Sequence, residues 1–187
     1  LLLFLRLRTF VALILVLAYF SYAAPNFLST ANAVIVSKHV ALNALLAIGM
    51  TFVIITGGID LSVGSIVGLC GMVAGWLMLN GVDLGFGYTV VEIVGLVALV
   101  GILVGAVNGI LITRMGVAPF IATLGTLYIA RGAALLSSGG RTFPNLTGNA
   151  EFGTTSFPFI GSGTILALPM MIWILILVGL LAHYLSR

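Results

Sequence analysis

The side chains that could carry out chemistry are few, and they lie far apart along the chain. The 187 residues include four acidic residues, two histidines and one cysteine. His39 and His183 stand near opposite ends of the sequence, and neither has a second ligand at the spacing of a zinc site. No glycine-rich phosphate-binding loop ending in Lys-Ser or Lys-Thr occurs in the sequence. The pattern predicts no catalytic residue, no metal and no cofactor, so the energy for any transport against a gradient would come from outside this chain.

Asp60 is the acidic residue with the most unusual surroundings. It lies in segment 56–65, which reads TGGIDLSVGS between two apolar stretches. Two adjacent glycines let the backbone turn tightly, and an acid or serine just before a helix can accept hydrogen bonds from its free N–H groups. We interpret the segment either as a capped hairpin or as a helix break that lines a path through the protein. The residues that carry this hypothesis are Gly57, Gly58, Asp60, Ser62 and Gly64.

Composition determines which elements must position these residues. Hydrophobic residues make up 61% of the chain and charged residues 6%, whereas soluble domains carry about 25% charged residues. Lipid is the solvent that suits such a chain, and it requires a backbone satisfied in helices or in a closed barrel. The apolar runs are long and unbroken, so we predict an all-α, polytopic transmembrane bundle with about six spans. The predicted spans are 10–24 (extendable back to residue 1), 40–56, 60–79, 89–113, 119–136 and 165–185.

Depth in a bilayer restricts what the polar residues can do. A charge at mid-depth costs about 2.5–3.5 kcal/mol on insertion scales, so Asp60 is not expected to face lipid. Arg131 lies five residues before Leu136, about 7–8 Å by helix rise. Its guanidinium can therefore extend to the interface, or it can serve the path or a contact with a partner. Asn108 can hydrogen-bond across helices, either for packing or for function.

Basic residues suggest an orientation. With the N-terminus in the cytoplasm and six crossings, four basic residues lie inside and two outside, which agrees with the excess of positive charge in cytoplasmic loops. The inside set is Arg6, Arg8, Arg114 and Arg187, and the outside set is Lys38 and Arg141. The polar segment 137–164 then faces outward. The reverse orientation gives two inside and four outside.

Glycines recur at helical spacing in the third, fourth and fifth predicted spans. Membrane helices associate through close packing at small residues, so we predict that these three helices pack tightly and that the first span faces lipid. The predicted packing positions are Gly68, Gly71, Gly75, Gly101, Gly105, Gly109, Gly125 and Gly132.

Segment 57–65, GGIDLSVGS, closely resembles the signature of the ribose-type permease subunits of bacterial ABC sugar importers. Three further blocks agree in order: NALLAIGMT at 43–51, NGILI at 108–112, and PFIATLGT at 119–126 with Arg131 and Gly132. The resemblance covers most of the chain. It adds Pro119, Phe120 and Thr123 to the residues expected at the helix break or translocation path, beside Asn108 and Arg131.

The resemblance implies an inner-membrane translocation subunit that forms one transmembrane permease domain over residues 1–187. Its implied partners are a second permease subunit, a cytoplasmic ATP-binding cassette ATPase that hydrolyses the ATP, and an extracytoplasmic sugar-binding protein. Segment 137–164 becomes a docking surface for that binding protein, with a solvated connector as the alternative. Members of the family are longer, so we expect further helices and the cytoplasmic coupling loop beyond residue 187.

Three other interpretations stay open. The first is a permease of a related branched-chain amino acid or nucleoside ABC importer. The second is an ion-coupled secondary carrier, which would be expected to show an acidic helix break in each half; Glu92 is a poor counterpart to Asp60. The third is a membrane scaffold that transports nothing.

Overall fold

The computed structural model describes residues 2–83, 87–143, 146–148, 150 and 153–187. Within these residues the chain forms seven α-helices, a 3-10 turn at Thr154–Ser156 and a two-stranded pair. The helices are α1 (Leu2–Ala23), α2 (Thr30–Ile55), α3 (Val63–Asp83), α4 (Val90–Thr113), α5 (Pro119–Ser138), α6 (Phe157–Ser162) and α7 (Met170–Leu185). The strands are β1 (Thr164–Ile165) and β2 (Leu168–Pro169), which pair antiparallel.

Six of the helices correspond in order to the six predicted spans. By length and composition, α2, α4 and α5 are suited to cross a membrane. Shorter apolar helical stretches occupy Leu7–Ala23 in α1, Val63–Leu79 in α3 and Met170–Leu185 in α7. The all-α, multi-pass membrane architecture is therefore confirmed.

Two predicted boundaries were wrong. Helix α2 begins at Thr30 rather than at residue 40, because the Ser29 side chain accepts a hydrogen bond from the Asn32 N–H (3.2 Å) and caps an earlier turn. Lys38 therefore lies inside α2, where its Nζ donates to the Ser162 carbonyl at 3.3 Å. The last helix begins at Met170 rather than near residue 165, because the chain first makes the β1–β2 hairpin.

Helices α3, α4 and α5 form the central packing unit. Helix α4 runs antiparallel to α3: Asn108, near the end of α4, contacts Ser62, just before α3 begins, and Cys70 Sγ lies 3.6 Å from the Val97 carbonyl oxygen. Helix α5 runs parallel to α3, since Thr123 in its second turn contacts Ile59, just before α3. We call the end of this unit that contains 56–62 the break end, and the opposite end the loop end.

The outer helices are more loosely attached. Helix α7 runs parallel to α2, because residues 33–41 of α2 share a cavity with Ile172 and Leu175, whereas residues 48–55 share one with Ala182 and His183. Residues 7–22 of α1 are exposed throughout. The lipid-facing role predicted for the first helix agrees with this exposure.

The described residues of segment 139–162 fold back onto the loop end of α3. A buried hydrophobic cluster lies there, formed by Ala74, Leu77, Met78 and Ile93, and Leu146 and Phe157 pack against it. Phe143 covers Gly75 so closely that a β-carbon at position 75 would lie 2.5 Å from its Cδ2 atom. These residues make the segment a packed cap on the helices, not only a solvated connector.

Glu92 closes the N-terminus of α4. Its Oε2 accepts hydrogen bonds from the backbone N–H and the hydroxyl of Thr89, at 2.7 and 2.9 Å, while the Thr89 hydroxyl accepts from the Glu92 N–H. This reciprocal pair is a capping box. The carboxylate thus has a local structural role, in keeping with the view that Glu92 is no second acidic break.

Candidate functional site

The break between α2 and α3 begins where Gly57 and Gly58 end helix α2. Gly57 has φ +75°, in the left-handed region. Its N–H donates to the Ile54 carbonyl and the Gly58 N–H donates to the Val53 carbonyl, both at 2.9 Å. These two bonds satisfy the last carbonyls of α2 in the Schellman pattern. A β-carbon at Gly58 would lie 3.2 Å from Val53 Cγ1 and 3.3 Å from the Val53 carbonyl oxygen. Steric hindrance therefore favours glycine at both positions, through the positive φ at Gly57 and the close contacts at Gly58.

Replacing Gly57 by alanine is expected to lower the free energy of unfolding by about 1 kcal/mol, since a β-carbon is strained at this positive φ. The matched control is Gly49→Ala in the middle of α2, where no atom lies within 4 Å of the added carbon. That change should stabilise the helix slightly. Denaturant titration in detergent micelles measures both variants, and an unchanged stability of Gly57→Ala would contradict the strain argument.

Asp60 organises the turn that leads into α3. Its Oδ1 accepts hydrogen bonds from the Ser62 backbone N–H at 2.7 Å and from the Ser62 hydroxyl at 2.6 Å. The expected hydrogen bond from a free N–H of α3 to either side chain is not among the described contacts. Instead, the carboxylate fixes the residue immediately before the helix.

A buried polar network ties this turn to both neighbouring helices. The Asn108 side-chain N–H donates to Ser62 Oγ at 3.1 Å, and the Thr126 hydroxyl donates to Asn108 Oδ1. Ser62 is fully buried, and Asn108 and Thr126 are 5% and 8% exposed. The network therefore runs from α5 through α4 to the carboxylate of Asp60.

Thr123 makes a second connection between α5 and the break. Its hydroxyl lies 3.1 Å from the Ile59 carbonyl oxygen and 2.8 Å from the Pro119 carbonyl oxygen, so its one proton is shared between the two acceptors. The side chain is 2% exposed.

These contacts give the position of the break relative to the ends of α4 and α5. Thr123 is four residues into α5, and Asn108 is five residues from the end of α4. At 1.5 Å per residue, the turn lies about 6–8 Å inside the ends of the two helices that hold it. The break is therefore re-entrant rather than a surface hairpin.

A cavity of about 230 Å³ lies between the break and the adjacent ends of α4 and α5. Asp60, Asn108, Pro119 and Thr123 line it, together with Gly105 and Gly109. We call it the break cavity. Four of the ten residues predicted for the site thus line one cavity. Phe120 is 51% exposed and does not line it.

Arg131 lies elsewhere, in a groove of about 390 Å³ between α3 and α5. Gly64, Ser65 and Gly68 line the same groove on the α3 side. Both interpretations of Arg131, in the path or a partner contact and at the interface, stay predictions.

Helices α3 to α5 pack together, and two of the eight predicted glycine positions have another described group against them: Gly75 meets Phe143, and Gly101 lies near Cys70 Sγ. Among the described residues, a β-carbon at the other six positions would meet no atom within 4 Å; these are Gly68, Gly71, Gly105, Gly109, Gly125 and Gly132. The helices meet through other residues, including Ala122, Thr126, Ala130 and Ala134, which are buried on α5.

Thr126 was missed as a site residue. Its signal was present, because it lies three residues after Thr123 and four before Ala130, on one face of α5. Its partner on α4 could not be read from this periodicity.

Comparison with known proteins adds the family context. Residues 32–187 match the family described as "Branched-chain amino acid transport system / permease component". The chain is 36% identical over 180 residues to the ribose import permease protein of Haemophilus influenzae, covering 96% of this chain and 53% of that protein. It is 37% identical over 186 residues to the galactofuranose transporter permease of Escherichia coli, covering 95% and 50%.

A third relative, the D-allose transport system permease of Escherichia coli, is 35% identical over 181 residues, covering 95% of this chain and 51% of the relative. The chain therefore spans about half the length of these relatives. No solved structure gives a significant match. The resemblance to sugar permeases drawn from the four sequence blocks is confirmed.

Proposed function

The chain belongs to the family of permease components of branched-chain amino acid transport systems, and from this premise we propose that it is part of the membrane-spanning subunit of an ATP-driven sugar importer. The observation that carries the proposal is the similarity to ribose, galactofuranose and allose permeases along nearly the whole chain. The cargo is a pentose or hexose, and the subunit provides the path rather than the catalysis.

The break end is proposed to face the cytoplasm of a bacterial cell. This orientation places four basic residues toward the cytoplasmic side, Arg6, Arg8, Arg114 and Arg187, against Lys38 and Arg141 toward the outer side, and it puts segment 137–164 outside. The partners would be a second permease subunit, a cytoplasmic ATPase and an extracytoplasmic sugar-binding protein. The cap over α3 is the surface of this chain nearest to that binding protein.

A branched-chain amino acid importer is the second candidate, and the description of the matching family favours it. The two candidates differ in cargo charge. A sugar is uncharged, whereas leucine carries an ammonium and a carboxylate at neutral pH.

Transport by the full-length permease in proteoliposomes tests the proposal. With its ATPase and binding protein, it should import radiolabelled D-ribose, D-allose or D-galactose only when ATP is supplied. A variant ATPase unable to hydrolyse ATP is the control. Import of leucine alone would establish the second candidate, and sugar uptake driven by a sodium or proton gradient without ATP would establish an ion-coupled carrier.

A further inference from the structure

The polar groups that line the break cavity are mainly hydrogen-bond acceptors. The Thr56 hydroxyl donates its proton to the Val53 carbonyl at 2.8 Å, and the Thr113 hydroxyl donates its proton to the Gly109 carbonyl at 2.7 Å. Both threonines line the cavity. Because each hydroxyl has one proton, both oxygens have only lone pairs left for a ligand.

Asp60 adds the charge of the cavity. The described hydrogen bonds of its carboxylate all go to Oδ1. Oδ2 can therefore accept from a ligand, and Asn108, with one of its two amide protons directed to Ser62, supplies a donor. A ligand that suits these groups has several O–H donors and carries no negative charge.

The rest of the cavity wall consists of glycines, which leave room for a ligand, and of apolar side chains. Gly105 and Gly109 are one turn apart on α4, and a β-carbon at either would meet no atom within 4 Å. Val53, Ile59 and Ile112 make the other surfaces apolar. A small number of polar groups in a mostly apolar concavity is the usual form of a small-molecule site.

We propose that the break cavity binds one uncharged monosaccharide through its hydroxyl groups and rejects phosphorylated sugars through the carboxylate of Asp60. This inference rests on the proposed function for the class of ligand. It adds a binding site at the break end of the α3–α5 unit and a preference for uncharged over negatively charged sugars. A sugar that is phosphorylated after entry would therefore not occupy the site again.

Protection from thiol labelling tests the site on the permease alone, without ATP or partners. Cys70 is the only cysteine of these 187 residues, so a Cys70→Ala, Ile112→Cys variant has one thiol in this part of the permease, and residue 112 lines the cavity. Any cysteine elsewhere in the full-length permease is replaced as well. At about ten times its dissociation constant, a bound sugar should slow labelling by a methanethiosulfonate roughly tenfold, since the fraction of free sites falls accordingly. D-ribose, D-allose and D-galactose are the probes, and no slowing by any of them overturns the proposal.

Two further variants separate the site from general effects. Gly109→Leu should fill the cavity and abolish the protection. Gly95→Leu lies on the same helix, with equally open space around it but outside the cavity. In this variant the slowing of labelling by sugar should stay within about twofold of its value without the substitution. Equal protection in the two variants would overturn the assignment.

The charge selection has its own test. The 5- or 6-phosphate of the protecting sugar should not slow labelling in the Asp60-containing protein, and it should begin to do so after Asp60→Asn. Asparagine keeps an oxygen for the Ser62 contacts, so the variant should keep normal expression. Protection by the phosphate in the Asp60-containing protein overturns the selection. Protection without ATP-dependent import would instead refute only the proposed importer.

Discussion

Replacing Asn108 by leucine is expected to lower the free energy of unfolding by about 1–2 kcal/mol, because two buried hydroxyl groups lose hydrogen-bond partners at once. The Thr126 hydroxyl loses its acceptor, and Ser62 Oγ loses its only described donor from another helix. Leucine has a similar volume, so packing changes contribute little. The loss should appear in a denaturant titration in micelles, together with weaker association of α4 with the break.

A double-mutant cycle identifies the network as the cause. Thr126→Val should cost much less in the Asn108→Leu background than alone, with a coupling of about 0.6–1.7 kcal/mol, the average and maximum for membrane hydrogen bonds. Thr113→Val is the matched control, since the hydrogen bond described for its hydroxyl stays within α4, and its cost should be the same in both backgrounds. Strictly additive losses for Asn108 and Thr126 would contradict the network.

Replacing Gly75 by valine is expected to displace the cap from the loop end. Even the β-carbon would lie 2.5 Å from Cδ2 and 2.9 Å from Cγ of Phe143, so the ring must leave its place. Overpacking of this kind costs about 1–3 kcal/mol. The measurable result is faster proteolytic cleavage in segment 139–162 together with a lower melting temperature.

Two variants bracket this result. Gly71→Val, one turn earlier on α3, introduces a side chain into open space and should leave cleavage unchanged. Adding Phe143→Ala to Gly75→Val should restore part of the lost stability, because it removes the clashing ring. If Gly71→Val and Gly75→Val are cleaved alike, the contact with Phe143 is not what holds the cap.

The parts of the fold that the sequence predicted well are those with local signals. Helix α4 begins within one residue of its expected start because Thr89 and Glu92 form a capping box, and α5 begins at Pro119 as predicted. Helix α2 was placed too late because Lys38 was assigned to the outside of the membrane, although Ser29 caps an earlier turn.

The site was harder to predict because its geometry depends on hydrogen bonds between residues that are far apart in the sequence. The residue types at 57–62 indicated a break, but its depth depends on Asn108 and Thr123, which belong to other helices. Periodicity likewise showed which glycines share a face, without showing what that face contacts. Phe143, which covers Gly75, comes from a segment with no helical period.

The re-entrant break also constrains the order in which the chain can be assembled during synthesis. The turn at 56–62 receives its inter-helix hydrogen bonds from residues 46 and 64 positions away along the sequence. When α2 and α3 leave the ribosome, neither partner has been made, and bare backbone groups are not tolerated in hydrocarbon. The turn therefore starts with only its local hydrogen bonds, and it gains its contacts with Asn108 and Thr123 after α4 and α5 have been made.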